Sequence, residues 1–469
     1  MPSLLVQVLA ALVVALQIYA AARAILRKSG VSSTLAWILA IITFPVVGAA
    51  AYLMFASPSI RRAARRQRPT ARGLFGGRPL APAVLPEGIA EQVVTLAARL
   101  TGLPPTLGNR VELLTSSRNA FQTIEQAVRG ATRRIWAEYY IIKNDATGRR
   151  FLDLLAEKAA EGVEVRLLYD AVGSLRIDPA RLRAIEAAGG HCAVFLPVNP
   201  FRRRWSTHLR NHRKLVLVDD ALGFTGGMNV GDEYSGRARR RGGVHFHDSH
   251  LAIRGPAVAD LAEIFVEDWT FATETALDVP RAPPAAGESV TAIVPSGPDQ
   301  VHNAHGMVYF AAIAAARRSV WIASPYFVPD GSMVQALVAA ALRGVDVRLL
   351  VPARNDIRLV GWAARSYYPE LIGAGVRVWE YLPSMLHAKR MVVDESFGIV
   401  GSANVDIRSF RLNFELGALI ADRAVAADLT RQFHVELRDS REVTSAQLLQ
   451  SGLGVRLRDG IARLFSPLL

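Results

Sequence analysis

The chain has 469 residues, of which 51% are hydrophobic, and it carries a formal net charge of +14 at pH 7. Its single cysteine excludes disulfide bonds within the chain and metal sites built from several thiolates. A charge of this sign and size predicts an anionic partner, either a nucleic acid or an acidic membrane surface.

Two apolar runs at the start of the sequence predict membrane helices. Residues 4–22 contain only Gln7 and Gln17 as polar residues, and residues 34–55 contain no charged residue. Each run is long enough to cross about 30 Å of hydrocarbon as a helix. A cleaved secretory signal fits less well, because no positive side chain precedes the first run and a second run follows at once. We therefore predict that residues 1–60 form a two-helix transmembrane hairpin.

The basic residues around the two runs predict the orientation of this hairpin. Three of them lie between the runs, namely Arg23, Arg27 and Lys28. Five follow the second run, namely Arg61, Arg62, Arg65, Arg66 and Arg68. The positive-inside rule favours a cytoplasmic location for the rest of the chain, although the margin is modest. With the hairpin in a bilayer, anionic lipid is a simpler partner than nucleic acid.

A repeated pattern follows a basic, Pro- and Gly-rich linker, which we place at residues 61–107. Residues 162–168 read Gly-Val-Glu-Val-Arg-Leu-Leu, and residues 344–350 read Gly-Val-Asp-Val-Arg-Leu-Leu. A strand-like run and a helix-period stretch precede each copy, which is typical of a βαβ layer. The sequence therefore predicts an α/β fold with two domains, 108–285 and 286–469, whose mostly parallel sheets pack as a pseudo-dimer.

A duplicated motif is the strongest indication of chemistry. The pattern His-x-Lys-x4-Asp occurs twice, although the whole chain contains only five lysines. The copies comprise His212, Lys214 and Asp219, then His387, Lys389 and Asp394. Each copy continues through an apolar stretch into a Gly turn that ends in an asparagine, Asn229 or Asn404. Two equivalent half-sites are therefore predicted.

Residues of these types suit phosphoryl transfer. On a strand, His and Lys two positions apart point to the same face. One neutral imidazole can attack phosphorus while the other, protonated, donates to the leaving alkoxide. The two lysines and the two asparagines would donate to the non-bridging oxygens, so the sequence predicts neither a metal nor a cofactor. Asp248 and Glu415, which follow the two Gly turns, could each orient an imidazole.

Other residues in and around the motifs allow two interpretations. Asp219 and Asp394 lie at strand ends, where a carboxylate can be structural rather than catalytic. His245, His247 and His250 suggest zinc, but on an extended strand these side chains would not all face the same way. An insert at 199–209 contains Arg202, Arg203, Arg204 and Trp205 and is predicted to be a basic loop over the site.

The paired motifs resemble the phospholipase D superfamily. Longer strings are similar to the bacterial cardiolipin synthase family, at residues 210–214, 226–234, 247–251, 295–299, 325–329, 365–368 and 408–415. The resemblance covers essentially the whole chain, and the motifs are specific in combination although one alone would be weak. Gly227 stands in the first copy where the second has Ser402, which puts the symmetry of phosphate binding in doubt.

The resemblance implies a phosphatidyltransferase that makes cardiolipin and glycerol from two phosphatidylglycerol molecules through a phosphohistidine. It implies that His212 is the nucleophile and His387 the acid/base, although the near symmetry leaves the reverse assignment open. It also implies a multi-pass protein of the bacterial inner membrane with anionic lipid as its partner.

Four alternatives remain on the sequence alone: a phospholipase D-type hydrolase, a transphosphatidylase with another alcohol acceptor, a nuclease, and a non-catalytic membrane scaffold. The apolar hairpin disfavours the nuclease, and the intact motifs in both halves disfavour the scaffold. The oligomeric state cannot be predicted.

Overall fold

The computed structural model describes residues 4–26, 31–55, 88–198, 209–236, 245–300 and 302–466. The chain divides into two compact units, Met1–Arg65 and Arg66–Leu469. The predicted basic loop at Arg202–Trp205 lies outside the described residues.

The first unit contains three helices, α1 (Leu4–Leu26), α2 (Val31–Thr43) and α3 (Pro45–Phe55). Among the described residues, α1 is the one helix long and apolar enough to cross a membrane. The single spanning helix predicted over residues 34–55 is instead divided into two short helices.

Pro45 explains this division. Proline has no N–H to donate to the carbonyl four residues earlier, and its ring clashes there, so the helix breaks at Phe44. The carbonyl of Ile41 accepts a hydrogen bond from Gln17 Nε2 of α1 instead, at 3.0 Å. Satisfying such a carbonyl matters most in hydrocarbon, where no water is present to do it.

The two short helices fold back on each other. The ring centroids of Trp37 and Tyr52 are 5.5 Å apart, whereas a straight helix would separate these positions by about 22 Å along its axis. Gly48 lies against α2 so closely that a Cβ there would be 2.2 Å from the carbonyl oxygen of Ala40. Helices α2 and α3 therefore form a tight V.

The second unit begins with α4 (Ile89–Thr101), which lies inside the predicted linker and packs its apolar face against the core of the second half. The elements of the first half are β1 (Thr106–Leu114), α5 (Ser117–Arg129), β2 (Arg134–Tyr139), α6 (Ala146–Ala160), β3 (Glu164–Asp170), α7 (Pro179–Ala187), β4 (His191–Phe195), β5 (Arg210–Asn211), β6 (Lys214–Val218), β7 (Leu222–Gly226), β8 (Phe246–His247), β9 (His250–Arg254) and α8 (Ala257–Thr273).

The second half repeats this order with additional helices. Its elements are β10 (Ser289–Ser296), α9 (Ala304–Ala315), β11 (Ser319–Ala323), β12 (Phe327–Val328), α10 (Gly331–Leu342), β13 (Asp346–Pro352), α11 (Arg358–Arg365), α12 (Tyr368–Gly373), β14 (Arg377–Tyr381), β15 (Met385–Leu386), β16 (Arg390–Val393), β17 (Phe397–Gly401), β18 (Val405–Asp406), α13 (Ile407–Arg411), β19 (Asn413–Ala421), α14 (Arg423–Arg438), β20 (Ser440–Val443), α15 (Ser445–Leu449) and α16 (Leu453–Leu464).

One continuous sheet joins the two halves. From the central β1–β10 pair, the strands read outward as β9-β7-β6-β2-β3-β4 on one side and β19-β17-β16-β11-β13-β14 on the other. Strands that correspond in the two repeats therefore occupy equivalent positions on either side of the β1–β10 pair. The α/β fold with two duplicated domains packed as a pseudo-dimer is confirmed.

The predicted βαβ layer is present in both halves, where β2, β3 and β4 pair in parallel, as do β11, β13 and β14. The motif strands add antiparallel pairs, β6–β7 and β16–β17 among them, so the sheet as a whole is mixed. Antiparallel pairing arises there because a connection of only three residues joins the strands of each pair.

Local sequence explains the repeated helices. Asp145 caps α6 and Asp330 caps α10, each accepting a hydrogen bond from a backbone amide in the first turn. Both helices are followed by a glycine with φ of +88°, Gly162 or Gly344, a conformation that other residues rarely adopt. Each half buries its own apolar cluster.

Candidate active site

Two short parallel strand pairs bring each motif against the opposite half of the chain. Strand β5, just before His212, pairs with β19 so that Asn211 lies opposite Phe414. Strand β15, just before His387, pairs with β8 in the same way. The amide of His212 donates to the carbonyl of Phe414 at 2.8 Å, and the amide of His387 donates to the carbonyl of His247 at 2.7 Å. The next residue along each partner strand is a carboxylate.

This register forms two histidine–carboxylate pairs that cross between the halves. His212 Nδ1 lies 2.9 Å from Glu415 Oε2, and His387 Nδ1 lies 2.6 Å from Asp248 Oδ2. All four side chains are buried. Because Nδ1 is bonded to the carboxylate, Nε2 is the ring nitrogen left for chemistry in each case. The sequence identified the four residues but not the exchange between halves.

The Gly/Ser difference between the two copies follows from this arrangement. A Cβ on Gly227 would lie 2.2 Å from Asp248 Oδ1, so a side chain there would displace the carboxylate. At the corresponding place, Ser402 donates its hydroxyl hydrogen bond to Glu415 and accepts one from the amide of Leu416 at 2.9 Å. Ser402 therefore orients the carboxylate, and the missing hydroxyl at Gly227 makes room for the other carboxylate.

Both motif lysines are fully buried beside the histidines. Lys214 Nζ donates to the carbonyl of His212 at 2.5 Å, and Lys389 Nζ donates to the carbonyl of His387. Lys389 Nζ also lies 2.7 Å from His387 Nδ1 and 3.9 Å from Asp248 Oδ2. Two ammonium groups and two imidazoles thus share one dry centre.

Burial changes the proton affinity of these groups. It lowers the pKa of His212 to about 4 and that of His387 to about 3, so both imidazoles are neutral at pH 7. Burial also lowers the pKa of Lys214 to about 7 and that of Lys389 to about 8. A neutral histidine is the form that can attack phosphorus.

The carboxylates remain ionised. Burial alone would raise the pKa of Asp248, but Lys389 and His387 hold it below its usual range. Burial would also raise the pKa of Glu415, which His212 and Lys214 hold below its usual range. An ionised carboxylate at Nδ1 fixes the tautomer with the proton on that nitrogen.

Aromatic side chains surround the two imidazoles. The ring of Phe246 stacks on that of His387 at 4.9 Å, and the ring of Tyr326 lies 6.1 Å from it. Tyr140 packs edge-on against His212 at 4.9 Å. These contacts fix the ring planes and exclude water, and spacing along the sequence did not indicate them.

The two asparagines are buried and bonded locally. Asn229 accepts from the amide of Ile141 at 3.2 Å and donates to the hydroxyl of Tyr234 at 3.0 Å. Asn404 lies in the corresponding turn, where its backbone N–H donates to Ser409 Oγ at 3.2 Å. Each asparagine retains a side-chain N–H that is not needed for these bonds, so donation to a phosphate stays a prediction.

Asp219 and Asp394 lie away from the imidazoles, which favours the structural one of the two interpretations that the sequence left open. Each is five residues beyond the motif lysine, about 16 Å along an extended strand. Asp219 accepts hydrogen bonds from the amides of residues 132–134, and Asp394 from those of residues 317–319. Both have φ of +52° at the start of a short hairpin turn, a conformation that aspartate tolerates. We assign them a structural role.

Two buried arginines that the sequence did not single out support the centre. Arg213 forms an ion pair with Asp268 and donates to the carbonyl of Glu415 at 3.2 Å. Arg390 forms an ion pair with Glu436, which also binds His247 Nε2 at 2.7 Å. Among the described residues, no group of three or more His, Cys, Asp or Glu side chains could hold a metal ion.

Comparisons with known proteins agree with the geometry. The family described as "Cardiolipin synthase, PLD-like domain" matches residues 124–269 and 309–436, and "Phospholipase_D-nuclease N-terminal" matches residues 15–56. A cardiolipin synthase of Geobacillus sp. (strain WCH70) is 38% identical over 93% of this chain and 89% of its own length. The probable cardiolipin synthase of Bacillus subtilis (strain 168) is 34% identical, with 93% and 88% covered.

A solved structure shows the same fold. The phosphatidylserine synthase of Haemophilus influenzae Rd KW20 superimposes with a TM-score of 0.62 and 17% identity, over 81% of this chain and 100% of that one. At this level of identity the likeness concerns the fold alone.

Proposed function

We propose a function for the chain, which belongs to the cardiolipin synthase family of proteins with duplicated phospholipase D-like domains. It transfers the phosphatidyl group of one phosphatidylglycerol to a second, forming cardiolipin and releasing glycerol. The observation that carries this proposal is the pair of crossed histidine–carboxylate contacts, His212–Glu415 and His387–Asp248, in one buried centre.

The first step forms a covalent intermediate at His212. Its neutral Nε2 attacks the phosphorus of the first phosphatidylglycerol, and the bond from phosphorus to the glycerol oxygen breaks. His387 Nε2 gives a proton to that oxygen, so glycerol leaves as a neutral alcohol. Asp248 stabilises the charge on His387 before the proton is given, and Glu415 does so for His212 after attack.

In the second step His387 accepts a proton instead of giving one, and His212 is the leaving group instead of the nucleophile. The terminal hydroxyl of a second phosphatidylglycerol gives its proton to His387 Nε2, and its oxygen attacks the phosphohistidine. The phosphorus–nitrogen bond breaks and free His212 is restored. Two phosphatidylglycerol molecules thus become one cardiolipin and one glycerol.

In the free enzyme burial holds both imidazoles neutral, yet the first step needs one of them protonated. The phosphodiester of the substrate promotes this protonation, because its negative charge favours a proton on His387 and positive charge on both lysines. Substrate binding should therefore raise the pKa values that burial has lowered. Lys214 and Lys389 then face the charge that builds on the non-bridging oxygens.

Product analysis tests the proposal. Purified full-length protein in bilayers with phosphatidylglycerol as the reacting lipid should yield cardiolipin and glycerol in equal amounts. Phosphatidic acid and glycerol as the main products would identify a hydrolase instead. An absence of both lipid products would contradict a phosphatidyl-transfer function altogether.

The buried lysines predict an alkaline loss of activity. In the free enzyme, burial lowers the pKa of Lys214 to about 7 and of Lys389 to about 8, and each ammonium is lost as the pH rises through these values. Because kcat/KM reports the free enzyme, it should fall between about pH 7 and pH 9.

The measurement requires high salt, so that the surface charge of the lipid does not shift the local pH. The Lys214→Arg variant, whose guanidinium stays charged, should lose absolute activity but shift the alkaline midpoint upwards, because Lys389 with its higher pKa then sets that midpoint. A wild-type kcat/KM that stays constant to pH 9 would contradict the assignment of charged lysines to phosphate stabilisation.

We also propose how the first unit attaches the protein to the bacterial inner membrane. Helix α1 crosses the bilayer, since it has 23 apolar-rich residues. Helices α2 and α3, with 13 and 11 residues, extend about 20 Å and 16 Å, too short to cross about 30 Å of hydrocarbon separately. The V that they form therefore enters and leaves on the same side, in place of the multi-pass hairpin that the sequence predicts.

The distribution of charge supports this topology. In a two-span hairpin the three basic residues at the end of α1 and just beyond it lie on the opposite side of the membrane from the five at positions 61–68. With one crossing and a re-entrant V, all eight lie on the same side of the membrane. The positive-inside rule then favours a cytoplasmic location for the catalytic unit more clearly than in the two-span hairpin.

Cysteine labelling separates the two topologies. In a Cys192→Ser background, Ser3→Cys should react with a membrane-impermeant maleimide added outside intact cells, because one crossing puts residue 3 outside. Ser59→Cys, which follows α3 in the sequence, should react only after the cells are opened. Protection of both positions in intact cells would contradict the re-entrant V and support two spans.

A further inference from the structure

An arginine-lined cavity opens beside the His387 half of the centre. Its volume is about 480 Å³, and its lining includes Arg354, Arg358, Arg365 and Arg458 with Glu380 as the one acidic residue. Pro325 and Phe327 also line it, and they flank Tyr326, whose ring lies 6.1 Å from that of His387. The cavity and the catalytic centre thus share one short segment of backbone.

Two of the four arginines are available to a ligand. Arg365 forms ion pairs with Glu380 at 2.9 Å and Asp459 at 3.7 Å, and Arg458 lies over the ring of Trp362 while binding Asp459. Arg354 and Arg358 are exposed, and neither forms an ion pair or side-chain hydrogen bond within the described part of the chain. Unpaired guanidinium groups at a cavity favour a phosphate or carboxylate ligand.

The backbone adds to this positive character. Helix α11 begins at Arg358, and the residue before it, Ile357, makes no side-chain capping bond. A helix N-terminus with free amides favours an anion. Asn355 fixes the loop by donating to the carbonyl of Pro325 at 2.9 Å and accepting from the amide of Ile357 at 3.0 Å. These two bonds therefore fix the loop that lines the cavity against the segment that contains Tyr326.

The first half has no equivalent of this cavity wall. Between β3 and α7 the chain has eight residues, 171–178, whereas fifteen residues, 353–367, lie between β13 and α12 and include α11. Helix α16, which contributes Arg458, also follows only the second half. The cavity thus breaks the symmetry of two otherwise similar half-sites.

The helix that contributes Arg458 to the cavity indicates that the ligand is a lipid. On α16, Leu453 is 79% exposed and Leu457 is 61% exposed, although each is apolar. An exposed apolar row beside arginines is suited to the surface of an anionic bilayer. A ligand held there would have its phosphate in the cavity and its acyl chains in the membrane.

We propose that this cavity binds the phosphodiester of the acceptor lipid, which deepens and rests on the proposed phosphatidyl transfer. The reaction uses two copies of one lipid in different roles, and only the acceptor keeps an unreacted phosphate beside the hydroxyl that His387 deprotonates. Water and simple alcohols have no such phosphate. Arg354 and Arg358 therefore select a lipid acceptor over water.

Competition between acceptors tests this role. Full-length protein in phosphatidylglycerol bilayers with added ethanol forms cardiolipin from the lipid acceptor, phosphatidylethanol from ethanol and phosphatidic acid from water. The Arg354→Ala/Arg358→Ala variant should lower the ratio of cardiolipin to phosphatidylethanol by roughly 10-fold or more, as expected for the loss of two charge-assisted contacts. Phosphatidylethanol formation itself should be retained, which also shows that the variant is folded.

Two matched variants provide the controls. Arg183→Ala/Arg423→Ala removes the same charge from exposed helix positions elsewhere and should leave the product ratio unchanged. Arg354→Lys/Arg358→Lys should restore most of the ratio. Inorganic phosphate should not change the ratio in the parent protein. A phosphate effect that the alanine variant abolishes would assign the cavity to a free anion instead.

Other outcomes overturn the proposal directly. An equal fall in both products would mean that the arginines act on the donor or on folding, and an unchanged ratio would mean that they do not select the acceptor. If the parent protein forms phosphatidylethanol but no cardiolipin, the proposed function itself is contradicted. This outcome is seen with the parent protein alone, before any variant is made.

Discussion

Replacing His212 by alanine should reduce cardiolipin synthesis by at least about 10³–10⁴-fold, the scale expected when a nucleophile is removed. His387→Ala should cause a loss of similar size, because glycerol would leave as an unprotonated alkoxide and the acceptor hydroxyl would keep its proton. Both losses should appear in kcat, since neither imidazole is proposed to hold the lipid in the ground state. Initial rates of cardiolipin formation by purified full-length protein measure them.

A histidine outside the centre provides the matched control. His191 is exposed at the start of β4, and His191→Ala should keep parental activity. Retention of more than about a tenth of parental kcat by His212→Ala would contradict covalent catalysis at that residue.

The exchange of carboxylates between the halves leads to the second large effect. Glu415→Gln and Asp248→Asn should each lower turnover by about 10²–10⁴-fold, because an amide facing Nδ1 favours the wrong imidazole tautomer and cannot stabilise the imidazolium. Glu442→Gln, which alters an exposed ion pair with Arg377, should have little effect.

The defective step should reveal which histidine each carboxylate serves. Glu415→Gln should slow formation of the phosphohistidine, because Glu415 contacts His212. Asp248→Asn should mainly slow proton transfer through His387, so an intermediate once formed should persist for longer. Single-turnover measurements separate the two steps, and the opposite assignment of defects would contradict the crossed pairing.

Local patterns predicted the parts of the molecule that depend on nearby residues. The βαβ layers followed from the near-identical strands after Gly162 and Gly344, and a constant spacing identified the two motifs. The family resemblance supplied the reaction. These features are visible in a single sequence because strand periodicity and helix termini are set within a few residues.

The crossed pairs could not be predicted in this way, because they depend on β5 meeting β19 and β8 meeting β15 across about 140 to 200 residues. The structural role of Asp219 could not be decided from the sequence for a related reason. Its partners are backbone amides of residues 132–134, which no side-chain pattern indicates. Pro45 was visible in the sequence, but uniform hydrophobicity across residues 34–55 concealed the break that it causes.

Capture of the covalent intermediate tests the central claim most directly. Full-length protein mixed briefly with phosphatidylglycerol labelled in its phosphatidyl group and then quenched should carry acid-labile, base-stable label on the peptide that contains His212. The label should still form in His387→Ala, although more slowly and after longer mixing, and it should be absent from His212→Ala. Label on the His387 peptide, or active turnover with no labelled protein at any time, would contradict the account.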